Sequence, residues 1–104
     1  MSSQKSKTIR SPKVQTVEKT APPGQYRVVI HNDDFTTKVF VIEILVAVFH
    51  KPLDAAATLM WRIHHDGHGV AGVYPFEIAE TKAKHAMALA RANEFPLKLT
   101  IEEA

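Results

Sequence analysis

Cysteine is absent from this 104-residue chain. Disulfides and thiolate metal sites are thereby excluded, and the composition suits a reducing, cytoplasmic compartment. Long apolar runs are missing too. The longest, residues 39–49, is interrupted by Glu43 and falls well short of the roughly 20 residues a membrane-spanning helix needs. The first residues lack the apolar stretch of a signal peptide. There is no phosphate-binding glycine loop, no nucleophile elbow and no internal repeat. A basic face for nucleic acid is also missing, although the net charge is +2. Residues 1–24 carry Lys5, Lys7, Arg10, Lys13 and Lys19 against Glu18 alone, a net +4. The other eight basic residues meet ten acidic ones, a net −2. The positive charge thus belongs to the first segment and not to the part expected to fold.

What is present suffices for one compact domain. Hydrophobic residues make up 45% of the chain and charged residues 23%, enough apolar side chains for a real core. Residues 1–24 are rich in Ser, Lys, Thr and Pro without a hydrophobic period. They read as a disordered basic extension ending at "APPG". Their nearly acid-free composition also resembles a transit peptide, although their few apolar residues form no clear face.

Residues 25–104 form the expected domain. "QYRVVIH" alternates and is rich in Val and Ile, which predicts a strand over 25–31. Residues 37–50 are ambiguous: β-branched content favours a strand, whereas length and a cap at Thr36 favour a buried helix. The helix is the better reading. Pro52 punctuates the chain, and Asp54 is placed to cap a second helix, "AAATLMWRIHHD", that stops at Gly67. "HGVAGVY" predicts a second strand. Pro75 suits the first turn of a third helix over 76–93. That helix carries small residues at Ala79, Ala83, Ala86 and Ala90, a stripe that can lie close against a sheet. "LKLTIE" gives a last strand. The expected fold is α/β, strand-helix-helix-strand-helix-strand, with a small three-stranded antiparallel sheet packed against three helices.

Three chemistries compete for the polar residues. His64, His65 and His68 suggest a metal site, but a helix ending at Gly67 would separate them, and zinc wants three or four converging ligands. Asp33 and Asp34 with a histidine suggest acid–base catalysis, without any accompanying catalytic motif. The third is recognition of a cation. "HNDDFT", residues 31–36, crowds acceptor oxygens just before the most apolar part of the chain. An ammonium has three donors and no acceptor, and wants carboxylate and amide oxygens around it. A neutral imidazole can accept a further hydrogen bond. An ammonium beside an apolar hole describes the start of a polypeptide with a hydrophobic first residue. Taken alone, "NDD" also fits a plain polar turn before a helix.

The runs "YRVVIHNDDFT", "FVIEIL", "IHHDGHGVAGVYPFEIAETKA" and "NEFPL", in this order over residues 25–104, resemble the ClpS family of Clp protease adaptors. The resemblance implies an adaptor and not an enzyme, with no cofactor and no metal. It implies a monomer that binds proteins bearing an unmodified N-terminal Leu, Phe, Tyr or Trp. These would pass to the N-terminal domain of a ClpA-type ATPase and be unfolded into the ClpP peptidase. By the same resemblance, Asn32, Asp33 and His64 would grip the α-amino group, and Asp34 would support the turn. Thr36, Val41, Met60, Ile63 and Leu97 would wall the side-chain pocket. Glu77, Thr81 and Lys82 would meet the ATPase, and the basic extension would serve in handover. One position departs: where the family commonly has Met at the pocket rim, this chain has Lys38. Its stem can cover apolar surface while its charge stays in water.

Overall fold

The computed structural model describes residues 14–16 and 24–104. In chain order the elements are β1 (Gln15–Thr16), β2 (Gln25–His31), α1 (Lys38–Ala47), α2 (Leu53–Asp66), β3 (His68–Pro75), α3 (Phe76–Ala92) and β4 (Lys98–Glu103). The sheet order is β1-β4-β2-β3. β2 sits in the middle, antiparallel to both β3 and β4. This is the expected three-stranded sheet with three helices. To it β1 adds two residues, pairing in parallel with Thr100 and Ile101. Those two residues fall in the stretch read as extension. The rest of that stretch, apart from Val14 and Gly24, lies outside the described residues.

Strand alternation decides which side chains reach the helices. Val28 and Ile30 of β2 and Leu99 and Ile101 of β4 are buried in one core with Tyr26, Ile44, Leu45, Phe49 and Met87. α3 packs on β2, β3 and β4. Ala79, Ala83, Ala86 and Ala90 are all fully buried, as the small-residue stripe requires. α1 packs on α2, and α2 on β3. Burial of a side chain such as Leu45 stabilises the fold by about 1.5–3 kcal/mol. That burial holds α1 helical despite its β-branched residues.

Two caps differ from expectation. α1 is capped by Thr37, whose hydroxyl accepts from the Phe40 N–H at 3.1 Å, because Thr36 is engaged in the preceding turn. Pro52 is the N-cap of α2, so Asp54 lies inside the first turn and accepts from the Ala55 N–H at 2.8 Å. There its charge complements the helix dipole. α2 stops at Gly67 with φ of 94°, where the Gly67 N–H donates to the Ile63 carbonyl. A left-handed residue at this point favours glycine.

The other face of the sheet carries a titrating histidine. His31 Nε2 and Thr100 Oγ1 share a hydrogen bond of 2.8 Å. Burial pushes the His31 pKa below its ordinary value of 6.5, Lys98 and His68 push it further down, and Glu102 opposes them. The unfolded chain therefore binds this proton at a higher pH than the folded chain. Between the two values the unfolded state holds more protons, so stability falls as pH drops below 6.5. Urea denaturation at falling pH should show a smaller loss for His31→Gln than for the unmodified chain. Equal losses would remove His31 as a contributor.

Candidate functional site

The site is built where the end of β2, the start of α1 and the end of α2 meet. The Asn32 N–H donates to the Gly67 carbonyl at 2.9 Å, which ties the segment after β2 to the C-terminal end of α2. Asp33 then folds the chain on itself. Its Oδ1 accepts from the Phe35 and Thr36 N–H groups at 2.8 and 2.7 Å, and its Oδ2 accepts from the Thr36 hydroxyl at 2.8 Å. Such side-chain turns are what Asp offers its own backbone. The turn delivers Thr37 to its capping position, and α1 begins.

Beneath this turn lies a cavity of about 410 Å3, within the size range of small-ligand sites. Val41 of α1 and Met60 and Ile63 of α2 line it and are themselves buried. Met60, Ile63 and His64 share one face of α2 by their three- and four-residue spacing. Asn32, Asp33, Asp34, Thr36 and His64 also line the cavity, with Lys38 at the first turn of α1.

Three polar side chains of this lining make no hydrogen bond among the described residues. Among the described residues, Asn32 and Asp34 use no side-chain atom in a hydrogen bond or ion pair, and His64 makes only a ring contact with Trp61. Their acceptors face solvent above an apolar floor. The C-terminal end of α2 abuts Asn32, and helix C-termini favour cations. The arrangement is chemically suited to a group with several donors and a positive charge, attached to an apolar body.

The turn is held by a different carboxylate than expected. Asp33, not Asp34, supports the turn, because three of its acceptor positions are filled by Phe35 and Thr36. Leu97 does not line the cavity. It is 1% exposed and packs in the core, where the chain entering β4 is held by Arg91, which donates to the Leu97 carbonyl at 2.8 Å. The remaining lining comes from Phe35, Thr37 and Val39, which the sequence reading passed over. They are neighbours of Asp34 and Lys38 in the same turn, and that adjacency was the available signal. Trp61 was missed as well. It is 56% exposed, and its ring meets the His64 ring at 5.8 Å.

Glu77, Thr81 and Lys82 lie on α3, and none of them lines the cavity. Glu77 and Thr81 are exposed one turn apart. Lys82 is half-buried; its ammonium donates to the Val48 carbonyl at 2.8 Å and sits 5.4 Å from the Tyr74 ring centre. Among the described residues, no three His, Cys, Asp or Glu side chains are placed to hold a metal ion. Among them, too, no helix is long and apolar enough to cross a membrane.

Comparison with known proteins gives this site its context. The family model of the ATP-dependent Clp protease adaptor protein ClpS matches residues 21–100. The chain belongs to the ClpS family. Membership makes it a Clp protease adaptor and not an enzyme. The ClpS adapter protein of Campylobacter jejuni (strain RM1221) is 47% identical over 94 residues, covering 88% of this chain and 98% of that one. That of Syntrophus aciditrophicus is 42% identical over 90 residues, covering 86% and 84%. A solved structure of Agrobacterium tumefaciens ClpS2 bound to L-phenylalaninamide is similar with a TM-score of 0.77. It shares 40% identity and covers 80% of this chain and all of that one.

Proposed function

We propose that this ClpS-family chain binds proteins that begin with an unmodified large apolar residue (Leu, Phe, Tyr or Trp). It passes them to the N-terminal domain of a ClpA-type ATPase for degradation. The observation that carries this reading is the set of acceptors on Asn32, Asp34 and His64, unengaged among the described residues, above the floor of Val41, Met60 and Ile63. A chain terminus supplies both halves of the match. Its ammonium brings three donors and a charge, and its first side chain fills the apolar cavity. The ligand of the similar Agrobacterium protein, phenylalaninamide, has the same two halves.

The magnitudes are sufficient. Burying the first side chain contributes about 1.5–3 kcal/mol. Each hydrogen bond to a charged group contributes about 1.5–3 kcal/mol. Ordering the peptide offsets part of this, which leaves affinities of micromolar order. In this reading Asp34 supplies the counter-charge, Asn32 and His64 supply further acceptors, and Asp33 keeps the turn in shape. Glu77, Thr81 and Lys82 form the ATPase face. The adaptor acts as a monomer in the cytoplasm.

The test is reconstitution. A folded reporter beginning with Leu should be degraded faster by purified ClpA and ClpP when this chain is added. A rate unchanged by the adaptor, or equal acceleration of a reporter beginning with Met, would overturn the proposal.

The N-terminal extension gives a separate prediction. Deleting residues 1–24 removes the two paired residues of β1 and no residue of the cavity lining. Peptide affinity should therefore be unchanged while delivery of the reporter falls. Full-rate degradation by the truncated adaptor would show that the extension takes no part in handover.

A further inference from the structure

Lys38 and Trp61 were brought together by the fold and have no place in the amine site. Lys38 lines the cavity from the first turn of α1. Its Nζ lies 5.8 Å from the centre of the Trp61 ring, within reach of a cation–π contact. Among the described residues no carboxylate pairs with it. The ring that holds Lys38 also touches His64, edge to face, at 5.8 Å between centroids. A cation is thus parked on an exposed aromatic ring, one ring away from a group assigned to the α-amine. Asp33 and Asp34 are the other charged residues of the lining, and both are negative.

From this geometry we infer that Lys38, held on Trp61, is a second subsite that reads the residue following the substrate's first one and favours a carboxylate there. The inference rests on the amine-site reading above. Successive Cα atoms are about 3.8 Å apart, so the second residue leaves the amine site within reach of the Lys38–Trp61 pair. An incoming ammonium brings a second positive charge toward Lys38, and an acidic second side chain offsets that repulsion. A basic second side chain adds to it. The pair is solvent-exposed, so each effect is modest: about 2–5-fold in affinity, from the usual strength of exposed ion pairs. Salt should erase it, since the screening length shrinks to about 3 Å at 1 M. The Trp61 face meanwhile offers apolar surface on which the emerging main chain can lie.

The experiment is a set of titrations with dye-labelled peptides beginning Leu-Glu, Leu-Ala and Leu-Lys, at low salt and at 1 M salt. The proteins are the unmodified chain, Lys38→Met, Lys38→Glu and Trp61→Leu, each checked for native thermal unfolding. The expected order for the unmodified chain is Glu tighter than Ala tighter than Lys, with about a 10-fold span at low salt and none at high salt. Lys38→Met should abolish the span and tighten Leu-Ala. Lys38→Glu should invert the order. Trp61→Leu, which releases the Lys38 head, should narrow the span. An unchanged order in Lys38→Glu, or no order at low salt while Leu-Ala binds normally, would overturn the inference. If Leu-Ala binds no better than its acetylated form, the amine-site reading itself fails and takes this inference with it.

Discussion

A peptide beginning with Leu should lose at least about 100-fold in affinity when its α-amine is acetylated. Acetylation acts on every part of the amine site at once. It removes the positive charge that Asp34 would neutralise. It reduces three N–H donors to one, so at least two of the acceptors on Asn32, Asp34 and His64 lose their partners on binding. It also adds a carbonyl oxygen where the site offers a carboxylate. Two lost bonds to a charged group amount to at least about 3 kcal/mol, which is more than two decades in Kd. The apolar floor of Val41, Met60 and Ile63 still receives the side chain, so weak residual binding is expected. Anisotropy titrations of the two peptides against the same protein give the ratio directly. Affinities within a few-fold of each other would mean that the cavity binds the side chain alone and does not read a terminus.

Substitutions at the two neighbouring carboxylates should produce opposite patterns. Asp34 has no internal partner among the described residues and is exposed at the cavity mouth. Asp34→Asn should leave thermal stability unchanged and weaken peptide binding by about 10–100-fold, the cost of one charge-assisted bond. Asp33 is different, because its oxygens already accept from Phe35 N–H, Thr36 N–H and the Thr36 hydroxyl. Asn at this position keeps a carbonyl for the two N–H groups and offers an amide donor to the hydroxyl oxygen. Asp33→Asn should therefore be tolerated, with affinity reduced by only about three-fold through the lost charge. Asp33→Ala removes all three bonds. It should destabilise the protein by about 1.5–3 kcal/mol and weaken binding by at least about 10-fold, because the turn presents Asn32 and Asp34. Thermal melts and peptide titrations on the three variants separate the roles. If Asp33→Asn loses as much affinity as Asp34→Asn, Asp33 faces the amine after all.

Much of the fold was legible because it follows from periodicity. The alternation of "QYRVVIH" and the Ala spacing of α3 each specify one face, and both faces are buried as expected. α1 was harder. Its residues suit a strand as well as a helix, and tertiary burial of Phe40, Val41, Ile44 and Leu45 decides the matter. β1 carried no signal, since two residues are too few to show the alternation that marks a strand.

Most residues that gather around the cavity were legible, and which carboxylate holds the turn was not. Either Asp33 or Asp34 could fold back on the N–H groups two and three residues ahead. The choice depends on backbone angles that a sequence does not display. Leu97 next to Pro96 reads equally well as a pocket wall or as core. The contact between Lys38 and Trp61 joins α1 to α2 and exists only once those helices pack.

The most direct measurement is a crystal structure of the chain with a Leu-initiated tripeptide. The peptide's amine nitrogen should lie about 2.7–3.2 Å from acceptor atoms of Asn32, Asp34 and His64, with the leucine side chain between Val41, Met60 and Ile63. A leucine seated outside this cavity, or an amine held by Asp33 with Asp34 turned to solvent, would contradict it.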